Sequence, residues 1–173
     1  MSTTPETTLS YQVRAIGPDV LSQLRICDDA GREPRVCTDG DGSPLRCCLR
    51  PVAPGERVGL VSYAPLRRWS RTDGAADPGP YDEQGPVFIH LEPCPGPAEP
   101  GFPAWLARSH RVLRAYSAAG HIVGGQLVEP DLADPVAGMD AALEQVLSQP
   151  GVAFAHVRAV EYGCFLFEAR PFR

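Results

Sequence analysis

Proline and glycine interrupt this chain so often that it can hold only short helices and strands. The 173 residues include 19 prolines and 17 glycines. Both residue types end regular structure, proline because it lacks an amide hydrogen and glycine because of its conformational freedom. The apolar fraction is 43%, which is ordinary for a globular protein. We therefore expect one globular domain with long, stiff loops, as the chain length also favours.

Two hairpins and one helix are the clearest elements, and all three lie in the last third of the chain. Each hairpin pairs two alternating segments across a turn that ends in glycine, as in a three-residue loop with a left-handed last residue. The paired segments are residues 111–116 with 121–128 and residues 152–160 with 164–169. Apolar residues at helical spacing predict a helix over Pro135–Leu147 between the hairpins.

The earlier part of the chain gives weaker patterns. Polar residues 1–10 predict a flexible tail, and residues 11–173 form the single domain. Predicted strands cover residues 11–16, 45–49, 57–63 and 87–91. Predicted helices begin at residue 18 and end at 24 or 26, and cover 103–109, while predicted loops cover 28–43 and 67–84. The pattern as a whole predicts an α+β fold, with an antiparallel β-sheet built from hairpins and backed by two or three helices.

All 16 basic residues are arginine, and the chain has no lysine. Lysine-dependent chemistry is therefore excluded, including Schiff-base catalysis and a phosphate-binding P-loop. The net charge of −5 gives no positive field for nucleic acid or for an anionic membrane surface. We expect no nucleic-acid partner and no membrane partner. The polar N-terminus resembles no export signal, which favours a cytoplasmic protein.

Six cysteines are present, and a reducing cytoplasm favours free thiols over disulfides. They include neither a C-x-x-C knuckle nor an H-E-x-x-H helix, so the prediction is no metal. Because cysteines in loops can converge, a zinc site stays open as the alternative. No nucleotide fingerprint is present either, and we expect no cofactor.

Three short blocks carry a resemblance to a known family. They are Gly-Pro-Val-Phe at 85–88, Leu-Arg-Ala-Tyr at 113–116 and Gly-Cys-Phe at 163–165. With these blocks the chain resembles the bacterial family catalogued as domain of unknown function twelve-oh-three, over nearly everything from Leu45 to Arg170. The resemblance implies a single-domain cytoplasmic protein without an established activity.

The last hairpin gathers candidate catalytic residues. With Gly163 as the last turn residue, His156 is expected opposite Glu168 and Arg158 opposite Leu166, and Cys164 shares their face. His156 is then a general base oriented by Glu168, with Cys164 as nucleophile or proton donor. The alternative is a buried, inert Cys164 thiol.

The first hairpin offers a binding group. Arg114 is expected opposite Gly124 and Tyr116 opposite Ile122, so Arg114 has room to hold a planar anionic group while Tyr116 donates a hydrogen bond to it. The alternative is that Arg114 pairs with a carboxylate such as Glu168 or Glu129 and that Tyr116 only packs.

The long predicted loop at 67–84 is expected to act as a lid. Trp69 and Tyr81 are its natural apolar contacts to a substrate. The alternative is that Trp69 anchors the loop to the core.

Together these residues predict a small bacterial enzyme that acts on a small organic acid or carbonyl compound by acid/base chemistry, with possible help from cysteine. His156, Cys164 and Tyr116 are the candidate catalytic residues. The candidate substrate-binding residues are Arg114, Tyr81, Arg158 and Trp69. A noncatalytic ligand-binding or protein-interaction module and a thiol redox sensor are the alternatives. A homodimer is left open.

Overall fold

The computed structural model describes residues 8–72, 74 and 77–172, and it has three helices and eight strands in this part of the chain. The helices are α1 (Pro18–Leu24), α2 (Pro65–Thr72) and α3 (Pro135–Leu147). The strands are β1 (Tyr11–Arg14), β2 (Arg35–Cys37), β3 (Val58–Tyr63), β4 (Gly85–Ile89), β5 (Arg111–Tyr116), β6 (Ile122–Val128), β7 (Phe154–Ala159) and β8 (Phe165–Pro171). Of the predicted tail, residues 1–7 lie outside the described residues.

The strands form two antiparallel sheets, which confirms the α+β class. The large sheet has the order β1-β8-β7-β5-β6 and contains both predicted hairpins, and the small sheet has the order β2-β3-β4. The sequence predicted a single sheet. The second sheet arises because β3 pairs with β4 and with β2, a short strand inside the predicted loop at 28–43.

Helix α3 covers one face of the large sheet. On the other face α2 packs through Leu66 and Trp69, and Tyr63 of β3 contacts Phe165. Leu143 of α3 packs with Leu113, Val157 and Phe167 in the larger core. Asp134 caps α3 by accepting a hydrogen bond from the Ala137 amide at 3.1 Å. The second face of the large sheet is therefore only partly covered, with Tyr116 and Phe154 buried and Arg14 exposed. In the described part of the chain, no helix combines the length and apolar character needed to cross a membrane.

The first hairpin has the predicted turn but a shifted register. Tyr116 lies opposite Ile122, as predicted. Arg114 lies opposite Gly125 rather than Gly124, because a β-bulge next to Tyr116 adds one residue to β6.

The last hairpin is also bulged. His156 lies opposite Glu168, as predicted, whereas Arg158 lies opposite Phe165 rather than Leu166. The bulge adds one residue to β8, so the predicted pairing holds on one side of it and fails on the other.

The predicted strand at 45–49 is wrong. This segment is a turn in which the Leu45 amide donates to the Arg50 carbonyl at 3.0 Å and Leu49 has a left-handed φ of 61°. The segment contains no β-branched residue that would favour an extended backbone.

The predicted loop at 67–84 is wrong in its first part, because α2 runs from Pro65 to Thr72. Leu66 and Trp69 are buried at helical spacing, but the arginines between and after them make the segment look like a polar loop. The predicted helix at 103–109 is only a three-residue 3-10 turn, Leu106–Arg108.

The glycines that end the two hairpin turns give a matched stability test. Gly120 and Gly163 both have left-handed φ, 78° and 67°. A Cβ at Gly120 would lie 2.7 Å from the Trp69 ring, whereas a Cβ at Gly163 would meet nothing within 4 Å. We expect Gly163→Ala to lower the free energy of unfolding by about 1 kcal/mol and Gly120→Ala by about 2 kcal/mol. Urea denaturation measures both values, and equal losses would contradict the packing of Trp69 under this turn.

Candidate functional site

A row of polar side chains crosses the large sheet. Arg14 lies opposite Glu168, Glu168 opposite His156, and His156 opposite Arg114. Directly opposed residues of antiparallel strands project from the same face, so these four side chains share the face of the sheet that looks away from α3. We call these four residues the charged row. The row ends at Gly125 on the edge strand.

His156 is the most enclosed member of the charged row. Its side chain is fully buried, and its ring lies 4.6 Å from the Tyr116 ring, 4.9 Å from Phe165 and 5.6 Å from Phe154. Among the described residues neither ring nitrogen has a hydrogen-bond partner, and the nearest carboxylate oxygen is on Glu168, 3.7 Å from Nε2. Burial lowers the pKa of His156 by more than Glu168 raises it, so the imidazole is neutral at pH 7.

Glu168 joins the buried imidazole to the surface. Its side chain is 13% exposed, and Arg170 donates a hydrogen bond to its carboxylate. Burial alone would raise the pKa of Glu168, but His156 and Arg170 together hold it below its usual value. Glu168 therefore keeps its negative charge at neutral pH.

Arg114 has an acidic partner that the sequence reasoning did not identify. Its Nη1 lies 2.6 Å from Oε1 of Glu83, and Nη1 of Arg158 lies 2.7 Å from the same oxygen. The alternative of an ion-paired Arg114 thus has support, although its partner is neither Glu168 nor Glu129. Tyr116 is fully buried, and burial raises its pKa although the neighbouring Arg114 guanidinium acts in the opposite direction. These contacts enclose Arg114 and Tyr116 at this end of the row.

A cavity of about 350 Å³ opens beside the other end of the charged row. Strands β1 and β8 and helices α1 and α2 surround it. The charged side chains that line it are Arg14, Arg68, Arg170, Asp19 and Glu168, and its aromatic walls are Tyr63, Trp69 and Phe165. Its volume and its mixture of aromatic walls with a few charged groups are typical of small-molecule sites.

The three arginines of this cavity differ in how they are held. Arg68 lies 2.8 Å from a carboxylate oxygen of Asp29, and Arg170 binds Glu168. Arg14 is exposed, and within the described residues it has neither an ion-pair nor a hydrogen-bond partner for its guanidinium. Arg14 is thus the cation in the cavity that is open to a ligand.

The other predicted substrate-binding residues lie apart from one another. Trp69 lines the cavity while its ring packs 5.0 Å from Phe154, so it is both a cavity wall and an anchor of α2. Tyr81 is 39% exposed and stacks on His121 at 5.1 Å, outside this cavity.

The structure does not join Cys164 to His156. The Cys164 thiol donates to the Tyr162 carbonyl at 3.6 Å, and among the described residues no hydrogen bond connects it with His156. Instead it lines a second cavity of about 230 Å³ together with Arg158 and Glu83. The role of Cys164 as a nucleophile or proton donor beside His156 therefore stays a prediction, because no contact joins the two side chains.

A second group of reactive side chains, which we call the Cys–His cluster, lies beside the small sheet. Its members are Cys47, Cys48, His90 and Cys94, whose sulfur and nitrogen donor atoms all lie within 4.8 Å of one another. Sequence reasoning missed the cluster because it contains no C-x-x-C spacing. The tight turn at 45–50 brings the two adjacent sulfurs to the same side, whereas the predicted strand would have pointed them to opposite faces.

The two adjacent thiols of this cluster differ in acidity. A hydrogen bond from Cys47 lowers the pKa of Cys48 to about 6, and Arg50 and His90 act in the same direction. The pKa of Cys47 is raised well above its usual value, because it shares its proton with Cys48 and is buried. The redox-sensor alternative requires an exposed acidic thiol, but Cys48 is only 9% exposed.

Comparison with known proteins places the chain in a family. A family model described as "Protein of unknown function (DUF1203)" matches residues 42–170. No curated protein and no solved structure matches the chain. The matched region includes the whole Cys–His cluster and all of the charged row except Arg14. The resemblance based on the three sequence blocks is confirmed, and the chain belongs to the DUF1203 family of proteins of unknown function.

Proposed function

We propose that this protein binds a small molecule with a carboxylate or similar planar anionic group in the cavity beside the charged row. The observation that carries the proposal is an aromatic-walled cavity lined by three arginines, of which Arg14 has no ion-pair or hydrogen-bond partner among the described residues. A guanidinium matches a carboxylate with two parallel hydrogen bonds. In a chain without lysine, every cationic side chain that can do this at neutral pH is an arginine or a protonated histidine.

The lining suggests how such a molecule would lie. Arg14 holds the anionic group, because its guanidinium lines the cavity and has no ion-pair or hydrogen-bond partner within the described residues. Tyr63, Trp69 and Phe165 contact the apolar body of the molecule. The carboxylate of Glu168 accepts a hydrogen bond from a hydroxyl or amino group, which favours a small hydroxy or amino acid over a plain fatty acid.

A second candidate function is acid/base chemistry on the same molecule, and the Glu168–His156 pair favours it. Glu168 lines the cavity, and His156 lies behind it at 3.7 Å. In this function Glu168 exchanges the proton with the substrate, and His156 is a positioning residue rather than a catalytic one. Perturbed titratable groups beside a cavity are typical of catalytic sites but also occur in structural networks, so binding is the primary proposal.

A reducing bacterial cytoplasm is part of the same proposal. All six cysteines are free thiols, and such thiols persist where disulfides are kept reduced.

Thermal shift measurements with defined salts test the binding proposal. We expect sodium lactate, succinate or benzoate to raise the melting temperature of the wild type by a few degrees above sodium chloride of equal ionic strength, because a ligand of the folded state stabilises it. Arg14→Gln should abolish the rise, and Arg35→Gln, at an exposed position on β2, should keep it.

The proposal fails if none of these salts shifts the wild-type melting temperature, or if Arg14→Gln responds as the wild type does. A shift of the same size in every variant indicates general ion stabilisation and also counts against a built site.

A further inference from the structure

The Cys–His cluster has the donor set of a metal site. Three thiol sulfurs and one imidazole nitrogen lie within 4.8 Å of one another, with 3.3 Å between Cys47 Sγ and His90 Nδ1 and 3.9 Å between Cys48 Sγ and the same nitrogen. In a tetrahedral zinc site with Zn–S bonds of about 2.3 Å, the ligand atoms lie about 3.5–3.8 Å apart. The four donors therefore need only small side-chain movements to surround one ion.

We propose that Cys47, Cys48, Cys94 and Nδ1 of His90 bind one Zn²⁺ ion with tetrahedral geometry. Soft thiolates with one imidazole select zinc over the harder Mg²⁺ and Ca²⁺, which take oxygen ligands. Four protein ligands leave no open position, so the site is structural rather than catalytic. All three sulfurs bind as thiolates, the protons that they still carry are released to solvent, and the imidazole binds in its neutral form.

Residues around the cluster already have the arrangement of a second shell. The other ring nitrogen of His90, Nε2, lies 3.1 Å from Oε1 of Glu56, and Glu56 is held by Arg50 through a bond of 2.6 Å. Ligating histidines usually donate their free N–H to such a carboxylate, which fixes the tautomer. The amide of His90 also donates to the Cys47 sulfur at 3.4 Å, a contact that stabilises a thiolate.

Arg50 also approaches the outer ring nitrogen of His90. Its Nη2 lies 2.8 Å from Nε2 of His90, and a guanidinium can only donate. With zinc on Nδ1, Nε2 carries the hydrogen and donates to Glu56, so the Arg50 guanidinium must turn away from Nε2 and bind Glu56 alone.

The ion would join three segments that otherwise have little regular structure. Cys47 and Cys48 lie in the turn after residue 45, and His90 directly follows β4. Cys94 lies in the segment at 92–102, which we call the proline-rich segment. An open cavity of about 570 Å³ borders Cys48, His90 and Cys94 and provides a path for the ion. The site would thus fix the proline-rich segment onto the small sheet.

Metal content measured on the full-length protein tests this proposal. The protein is reconstituted with zinc under reducing conditions and desalted. We then expect about one zinc per chain in the wild type and in Cys37→Ser, because Cys37 lies outside the cluster. In Cys94→Ser the retained zinc should fall about tenfold or more. Cobalt substitution should give the visible absorption of tetrahedral Co²⁺ with thiolate charge transfer in the wild type and in Cys37→Ser, but not in Cys94→Ser.

Thiol protection provides a test that does not depend on any variant folding. In the wild type, added zinc should protect Cys48 and Cys94, which border the open cavity, from alkylation, while Cys27 and Cys37 react at unchanged rates. Three metal-content results would overturn the proposal: wild-type protein that retains no zinc, Cys94→Ser that retains as much zinc as Cys37→Ser, or wild-type protein that holds iron and not zinc. Alkylation rates that zinc leaves unchanged would also overturn it.

Discussion

Replacement of Glu168 by alanine is expected to lower the free energy of unfolding by about 3 kcal/mol at pH 7. The carboxylate is nearly buried, faces His156 and accepts a hydrogen bond from Arg170, whose guanidinium lies 5.4 Å over the Phe154 ring. Removal of one partner from a buried charge pair leaves the other charge poorly solvated. Chemical denaturation of both proteins measures the loss.

Two variants control this experiment. Glu168→Gln keeps an acceptor for Arg170 and should lose less stability than Glu168→Ala. Glu99→Ala, at an exposed glutamate, should stay within about 0.5 kcal/mol of the wild type. Because the pKa of Glu168 is lowered from 4.5, its contribution is present above that pH and is lost as the pH falls through the lowered value. The two curves should therefore converge in acid, and a constant difference would contradict the ionised Glu168.

Replacement of His156 by leucine is expected to act in the opposite direction and to raise the free energy of unfolding by about 1–3 kcal/mol at pH 7. The imidazole is fully buried among three aromatic rings, and both of its nitrogens lack a hydrogen-bond partner in the described part of the chain. Leucine has a similar volume and no polar atoms to desolvate. A stabilised His156→Leu would mean that the protein keeps His156 at a cost to stability, which is typical of a residue in a functional site.

The same variant should change how stability depends on pH. The pKa of His156 is lowered from 6.5, so below pH 6.5 the unfolded chain binds a proton that the folded protein does not. Wild-type stability should therefore fall as the pH falls below 6.5, with a slope of up to about 1.4 kcal/mol per pH unit from this group. His156→Leu should lose that part of the slope, and His110→Gln, at an exposed histidine, should keep it. A destabilised His156→Leu with an unchanged slope would show that the imidazole is charged or paired.

Local patterns were enough to predict the elements whose stabilising contacts are close in sequence. Helix α3 has the predicted bounds because Pro135 starts it and an apolar stripe faces the sheet. The His156–Glu168 pair was predictable because a short turn with Gly163 sets the register between two consecutive strands. The bulges beyond this pair were not predictable, since a bulge depends on how neighbouring layers pack.

The candidate site depends on contacts that no local pattern records. Arg14 lies opposite Glu168 only because the first and last strands are neighbours in the sheet. Glu83 reaches Arg114 and Arg158 from a loop before β4. The Cys–His cluster was not predictable for a different reason. Its spacing matches no common zinc motif, and only the turn before Arg50 places the sulfurs of its two adjacent cysteines on the same side.

Native mass spectrometry of the protein purified from its own host tests the binding proposal most directly. We expect the wild type to carry a small anionic compound that is released on denaturation, and Arg14→Gln to carry at least about tenfold less of it. Arg35→Gln serves as the matched control and should retain the compound as the wild type does. Wild-type protein without a bound compound, or a compound retained equally by Arg14→Gln, would contradict a ligand site beside the charged row.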